Sequence, residues 1–89
     1  GLLSPEEIRR RLDALAQLKV HPREQQANIA VLARAERLYE EYTGDARRVI
    51  LEHIHAFNAE LAQQDPQAIE RARRRLTEFL DHVERQSGL

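Results

Sequence analysis

Apolar and polar residues follow each other along the chain with the period of an α-helix, in four separate segments. In the first segment Ile8, Leu12 and Leu15 lie three or four residues apart, so they share one helical face. The same spacing recurs in three further segments, which run from Val31 to Tyr42, from Ala46 to Leu61 and from Ile69 to Val83. The pattern predicts an all-α protein.

Proline and short polar side chains indicate where these helices begin. Ser4 can cap a helix that has Pro5 at its first position, and Glu7 completes a capping box. Asp65-Pro66 repeats this arrangement, while Gly44 suits a left-handed helix end and Asp45 can cap the helix that follows. We therefore predict helices over residues 5–19, 22–43, 46–63 and 66–86.

The second predicted helix differs along its length, because residues 23–28 are nearly all polar and its apolar stripe begins only at Val31. We expect its C-terminal half to form an antiparallel three-helix bundle with the next two helices, since the connections are short. The polar half should lie outside that core. The short N-terminal helix is then left over: it either binds a surface outside this chain or folds back as the fourth helix of a closed bundle.

The amino-acid composition excludes several classes of function. The chain has 89 residues, no cysteine and a net charge of −1, from 14 basic and 15 acidic residues. Disulfides, thiol catalysis and cysteine zinc sites are excluded, and near-neutrality gives no electrostatic argument for binding nucleic acid or an anionic membrane. No apolar run approaches the length of a transmembrane helix.

Two patterns suggest a site, and each has a simpler interpretation. Glu52 and His55 share a helical face as in half of a carboxylate-bridged metal site, but the chain lacks the matching second half. The arginine runs at 9–11 and 73–75 suggest phosphate binding, but acidic residues four positions away predict a solvated, ion-paired helix surface. No phosphate-binding loop or catalytic triad context is present, so we expect no enzyme activity, metal or cofactor in this chain.

The order of the motifs is similar to that of a known family. A leucine followed by Ser4-Pro5-Glu6-Glu7-Ile8 opens the first helix, and Glu60-Leu61-Ala62-Gln63-Gln64-Asp65-Pro66-Gln67-Ala68-Ile69-Glu70 joins the last two. Over residues 3–86 the chain resembles the C-terminal helical lid of the seventy-kilodalton heat-shock chaperones of bacterial DnaK type. The break at His21-Pro22 resembles the HscC-type branch of that family.

This resemblance implies a part of a cytoplasmic, stress-related protein-folding chaperone. In the family an ATPase domain comes first, and a β-sandwich that holds an extended hydrophobic peptide comes next. The first lid helix packs on the sandwich, and the second covers the bound peptide. The implied partners are therefore that sandwich in the same parent chain and, indirectly, unfolded client polypeptides, with ATP bound only by the parent.

The expected organisation follows from both lines of argument. Residues 1–3 are interpreted as a linker or tag remnant, 4–21 as the first lid helix, 22–86 as the covering helix with its bundle, and 87–89 as a frayed tail. Interface candidates are Ile8, Leu12 and Leu15, through which we also expect self-association. The polar residues Arg34, Arg37 and Glu41 are candidates, by position only, for the latch between lid and sandwich. The alternative function is a free-standing helical interaction module, such as an adaptor or regulator.

Overall fold

The computed structural model describes residues 2–19 and 21–87, without the side chains of residues 16–19 and 87. Helix α1 spans Pro5–Lys19, α2 spans Gln26–Glu41, α3 spans Gly44–Gln63 and α4 spans Pro66–Ser87. A 3-10 turn, Pro22–Glu24, precedes α2. The described residues contain no strand, so the predicted all-α class is confirmed.

Helices α2, α3 and α4 pack against one another as an up-down-up bundle. Contacts between residues far apart in the sequence show the relative directions of the three helices. Arg23, just before α2, reaches Asn58 near the end of α3, so these two helices run in opposite directions. The Tyr42 hydroxyl, just after α2, lies 3.4 Å from the carbonyl oxygen of Val83 near the end of α4, so α2 and α4 run in the same direction.

One apolar stripe from each of the three helices forms the core. The spacing of the buried positions is three or four residues, as an amphipathic helix requires. The buried apolar residues are Val31, Ala35, Leu38, Ile50, Ile54, Phe57, Leu61, Ile69, Ala72, Leu76 and Leu80. Most of each predicted stripe therefore lies in the core, but Ala46, where the predicted stripe of α3 begins, is exposed.

The second helix is shorter than predicted, and its polar beginning is packed. Residues 22–43 were expected to form one helix, but Gln25 has extended backbone angles (φ −71°, ψ 132°) between the 3-10 turn and α2. Pro22 and Asn28 are buried, and the turn packs on both α2 and α3. The expectation that residues 23–28 lie outside the core is therefore wrong for Asn28, which shares the face of Val31 and Ala35, while Arg23, Glu24, Gln26 and Ala27 are exposed.

The two bundle connections are partly as the sequence predicts. Asp65 caps α4, since its Oδ1 accepts a hydrogen bond from the Gln67 backbone N–H at 3.1 Å. Gly44 has the positive φ expected of it, at 64°, but it is the first residue of α3. The capping position belongs to Thr43, so Asp45 lies inside the first turn, where its carboxylate still favours the helix N-terminus.

The core predicts a large effect of one substitution. Leu76 is 3% exposed at the centre of the α4 stripe, so Leu76→Ala should lower the free energy of unfolding by about 2–5 kcal/mol through lost burial and a cavity. Leu12→Ala is the matched control, because Leu12 in α1 is exposed and should change stability little. Urea denaturation of both variants measures this, and similar losses would show that α1 belongs to the core.

Candidate functional site

Helix α1 stands apart from the bundle. In the described part of the chain the extensive interfaces join α2, α3, α4 and the 3-10 turn, and α1 shares in none of them. The molecule measures 62 × 24 × 16 Å, although helices of the length of α3 and α4 span only about 30–33 Å. Of the two alternatives left open by the sequence, the structure favours the one in which α1 does not fold back.

The apolar face of α1 is open. Ile8, Leu12 and Leu15 are 45%, 60% and 53% exposed, and Leu2 and Leu3 before the helix are exposed as well. The side chains of Ala16 and Leu18, which the sequence also places near this stripe, lie outside the described residues. Three large apolar side chains in line on one isolated helix make a surface suited to another protein.

A local hydrogen bond caps the N-terminus of α1, but a helix of this length needs packing for its stability. The Ser4 hydroxyl accepts a hydrogen bond from the Glu7 backbone N–H at 3.2 Å, as the predicted cap requires. A lone helix of 15 residues is only marginally stable in water, because nucleation is costly and packing normally supplies the rest. Helix α1 therefore has most to gain in stability when its apolar face meets a partner.

A buried polar residue fixes the base from which α1 departs. The Asn28 side chain is fully buried, and its amide donates a hydrogen bond to the carbonyl oxygen of Pro22 at 2.9 Å. Its Oδ1 accepts one from the Arg73 guanidinium at 2.8 Å. The 3-10 turn is thus joined to α4 through the interior of the bundle, and both ends of the amide are satisfied.

A second contact holds the outer side of the same turn. The Arg23 guanidinium donates to the Oδ1 of Asn58 at 2.8 Å and to its backbone oxygen at 3.2 Å. The Nδ1 of His21 accepts a hydrogen bond from the Arg23 backbone N–H at 3.1 Å, which closes the turn at its start. The turn is thereby attached to α3 on its outer side as well as to α4 through Asn28.

Sequence reasoning did not identify this group of contacts. The polar composition of residues 23–28 suggested a solvated helix, although Asn28 is placed three residues before Val31 and seven before Ala35 on the core face. That spacing was the available signal. The sequence does not show that Arg23 and Arg73 donate these hydrogen bonds, because arginine is equally common on a solvated surface.

Arg34 makes different contacts from the other two latch candidates. The Arg34 guanidinium bridges α2 to α4, with 2.6 Å to Asp81 and 2.7 Å to Glu84. The hydrogen bond to Asp81 raises the pKa of Arg34, against the opposing effect of burial, and Glu84 adds to the rise. Arg37 and Glu41 are exposed and form a loose 3.8 Å pair on α2. Arg34 therefore contributes to the bundle, while Arg37 and Glu41 face solvent.

The other patterns have structural roles in the bundle. His53 stacks on Phe79 with ring centroids 3.7 Å apart, and Glu52 pairs with Arg48 at 2.7 Å. Among the described residues, no three histidine or acidic side chains are grouped so as to hold a metal ion. In the second arginine run Arg74 pairs with Glu70 at 2.7 Å, as predicted.

The described residues thus offer a surface for noncovalent docking on a helix whose base is rigidly held. Comparison of the chain with protein-family models, with curated proteins and with solved structures found no match. Within the described residues, no helix is both long enough and apolar enough to cross a membrane.

The contacts of Asn28 generate a prediction. Asn28→Ala leaves the Pro22 carbonyl and the Arg73 guanidinium without this buried partner, so the free energy of unfolding should fall by about 1–3 kcal/mol. Gln26→Ala, on the exposed side of the same first turn, is the matched control and should have little effect. Thermal denaturation compares them, and equal melting temperatures would mean that Asn28 does not hold the turn.

Proposed function

We propose that this chain is the helical lid subdomain of a seventy-kilodalton heat-shock chaperone, acting through α1. In this proposal α1 packs on a β-sandwich substrate domain of the same parent chain. The bundle then controls how fast hydrophobic peptides enter and leave that domain. The proposal rests on the motif resemblance together with one structural observation, which is the open apolar face of Ile8, Leu12 and Leu15.

The open face supports docking because the rest of the chain does not need it. The bundle already has a closed core made of three stripes, and no side chain of α1 that the structure describes is part of that core. Burying a leucine-sized side chain stabilises a complex by roughly 1.5–3 kcal/mol. Three such residues in line could hold α1 on a complementary apolar surface of the sandwich and make the bundle an appendage of that domain.

The packed turn changes how such a lid would cover a peptide. In the family the early part of the second helix lies over the bound peptide, but here residues 22–28 are joined to α3 and α4. The covering surface would then be the end of the bundle that carries the 3-10 turn, α2's first residues and the α3–α4 connection.

The same observation favours the second candidate function, a free-standing interaction module. Every turn of α2 from Asn28 onward contributes to the bundle, so no unpacked helix extends over a neighbouring peptide site. An adaptor needs only a stable bundle that carries one exposed docking helix. The two functions differ in the identity of the docked domain, and both use the face of Leu12.

The lid function predicts faster peptide release when α1 cannot dock. In the native gene product, Leu12→Glu with Leu15→Glu should raise the dissociation rate of a fluorescent hydrophobic peptide by about tenfold or more, since each 1.4 kcal/mol is a factor of ten. Ala14→Glu is the matched control, because Ala14 lies about 200° from Leu12 around the helix. An unchanged rate, or a gene product without a sandwich domain, would contradict the lid and leave the adaptor.

The lid function predicts that the isolated chain does not bind the ligands of the parent protein. Residues 1–89 alone should bind neither ATP nor an extended hydrophobic peptide, because both sites would belong to other domains of the parent. Isothermal titration calorimetry with ATP and with an unstructured apolar peptide tests this. Micromolar binding of either ligand would contradict the assignment as a lid.

A further inference from the structure

Cationic side chains border the apolar stripe of α1 on both of its edges. Successive residues of an α-helix differ by about 100° around its axis, so Arg9 lies about 60° from Leu12 on one side and Arg11 about 100° from it on the other. Both arginines are exposed. Among the charged side chains that the structure describes in α1, these two are therefore the first that a surface covering the stripe would reach.

The acidic side chains of α1 lie farther from the stripe than these arginines. On the edge of Arg9, Asp13 and Glu6 lie about 100° and about 120° from the line of Leu12. On the edge of Arg11, Glu7 lies about 140° from that line. On each edge the cation therefore stands between the apolar stripe and the nearest acid.

The two flanking arginines are not occupied by ion pairs within the helix. In α4, Arg74 pairs at 2.7 Å with Glu70, which lies four residues earlier. Arg9 and Arg11 each have an acidic residue at the same spacing, but in the part of the chain that the structure describes neither guanidinium forms an ion pair or a hydrogen bond. The ion pairing predicted around residues 9–11 is therefore not found there, and the donors of both arginines remain available to a partner.

This arrangement indicates the chemistry of the surface that receives α1. A guanidinium forms its strongest protein contacts with carboxylates, to which it can donate two parallel hydrogen bonds. We propose that the domain on which α1 docks presents an apolar groove with carboxylates along both edges, one edge facing Arg9 and the other facing Arg11. The inference rests on the docking of α1 in the proposed function, and it adds the chemical character of the docking surface.

The charge on the far side of α1 favours a protein groove over an anionic lipid surface. Helices that lie on membranes carry basic residues across their polar face. Beyond the two flanking arginines, the polar face over residues 5–15 has three acidic residues and one basic residue, which gives a net charge of −2. These residues are Glu6, Glu7, Asp13 and Arg10. Anionic headgroups would repel such a face, whereas a groove contacts only the stripe and its edges.

Three substitutions of neighbouring arginines test the proposal in the native gene product. Arg9→Glu and Arg11→Glu place a carboxylate against the acidic edges, whereas Arg10→Glu makes the same change of charge about 160° from Leu12. Hydrogen exchange of the α1 amides measures docking, since a docked helix is protected. Arg9→Glu and Arg11→Glu should each lower this protection about tenfold or more, because like charges then oppose each other. Arg10→Glu is the matched control and should exchange as the wild type does, and the amides of the bundle core should be unchanged in all three.

The outcomes separate this proposal from the lid function. Equal protection of α1 in the wild type and all three variants would overturn the acidic edges, even if Leu12→Glu with Leu15→Glu accelerates peptide release and so retains the lid. Equal losses in the three variants, or an unprotected α1 in the wild type, would overturn the acidic edges as well. Protection that depends on Arg9 and Arg11, without any effect of these residues on peptide release, would support the acidic groove and contradict the lid.

Vesicles of phosphatidylserine and phosphatidylcholine test the other class of anionic surface. The purified chain should not bind them. Binding that Arg9→Glu and Arg11→Glu abolish and Arg10→Glu retains would assign the two arginines to lipid headgroups and overturn the proposal.

Discussion

The arrangement of the whole chain depends on the buried side chain of Asn28. An amide in an apolar core is costly unless its donor and acceptor are both paired, and here Pro22 and Arg73 provide the two partners. These bonds join the segment before α2 to the far side of the bundle. As a result the bundle has a defined end at the 3-10 turn, and α1 leaves from a fixed point.

The bundle and α1 are stabilised in different ways. The bundle beyond it is held by continuous apolar packing, with Leu61 and Leu80 completely buried, and by the Arg34 bridge between α2 and α4. Ion pairs of this half-exposed kind contribute roughly 0–1 kcal/mol, so apolar packing carries most of the stability. Helix α1 has a capping serine and an open apolar face but no comparable packing, which makes it the part of the chain whose state a partner can change.

The sequence predicts most of the fold because its local signals agree with each other. The apolar period and the caps at Ser4 and Asp65 place α1 and α4, and both of those caps are confirmed by hydrogen bonds. The segment 22–28 was assigned wrongly because its structure depends on distant residues, Asn58 and Arg73, which local pattern cannot identify. The exposed stripe of α1 could be predicted, since three stripes already complete a core.

Amide hydrogen exchange on the dilute wild-type chain distinguishes a helix held apart from a self-sufficient bundle from a helix packed on it. If α1 stands apart, amides in residues 9–19 should exchange nearly as fast as in an unfolded peptide. Core amides around Val31, Ile54 and Leu76 should exchange only through global unfolding. Protection of α1 equal to that of the bundle, at a concentration where the chain is monomeric, would instead show that α1 is a fourth helix of the core.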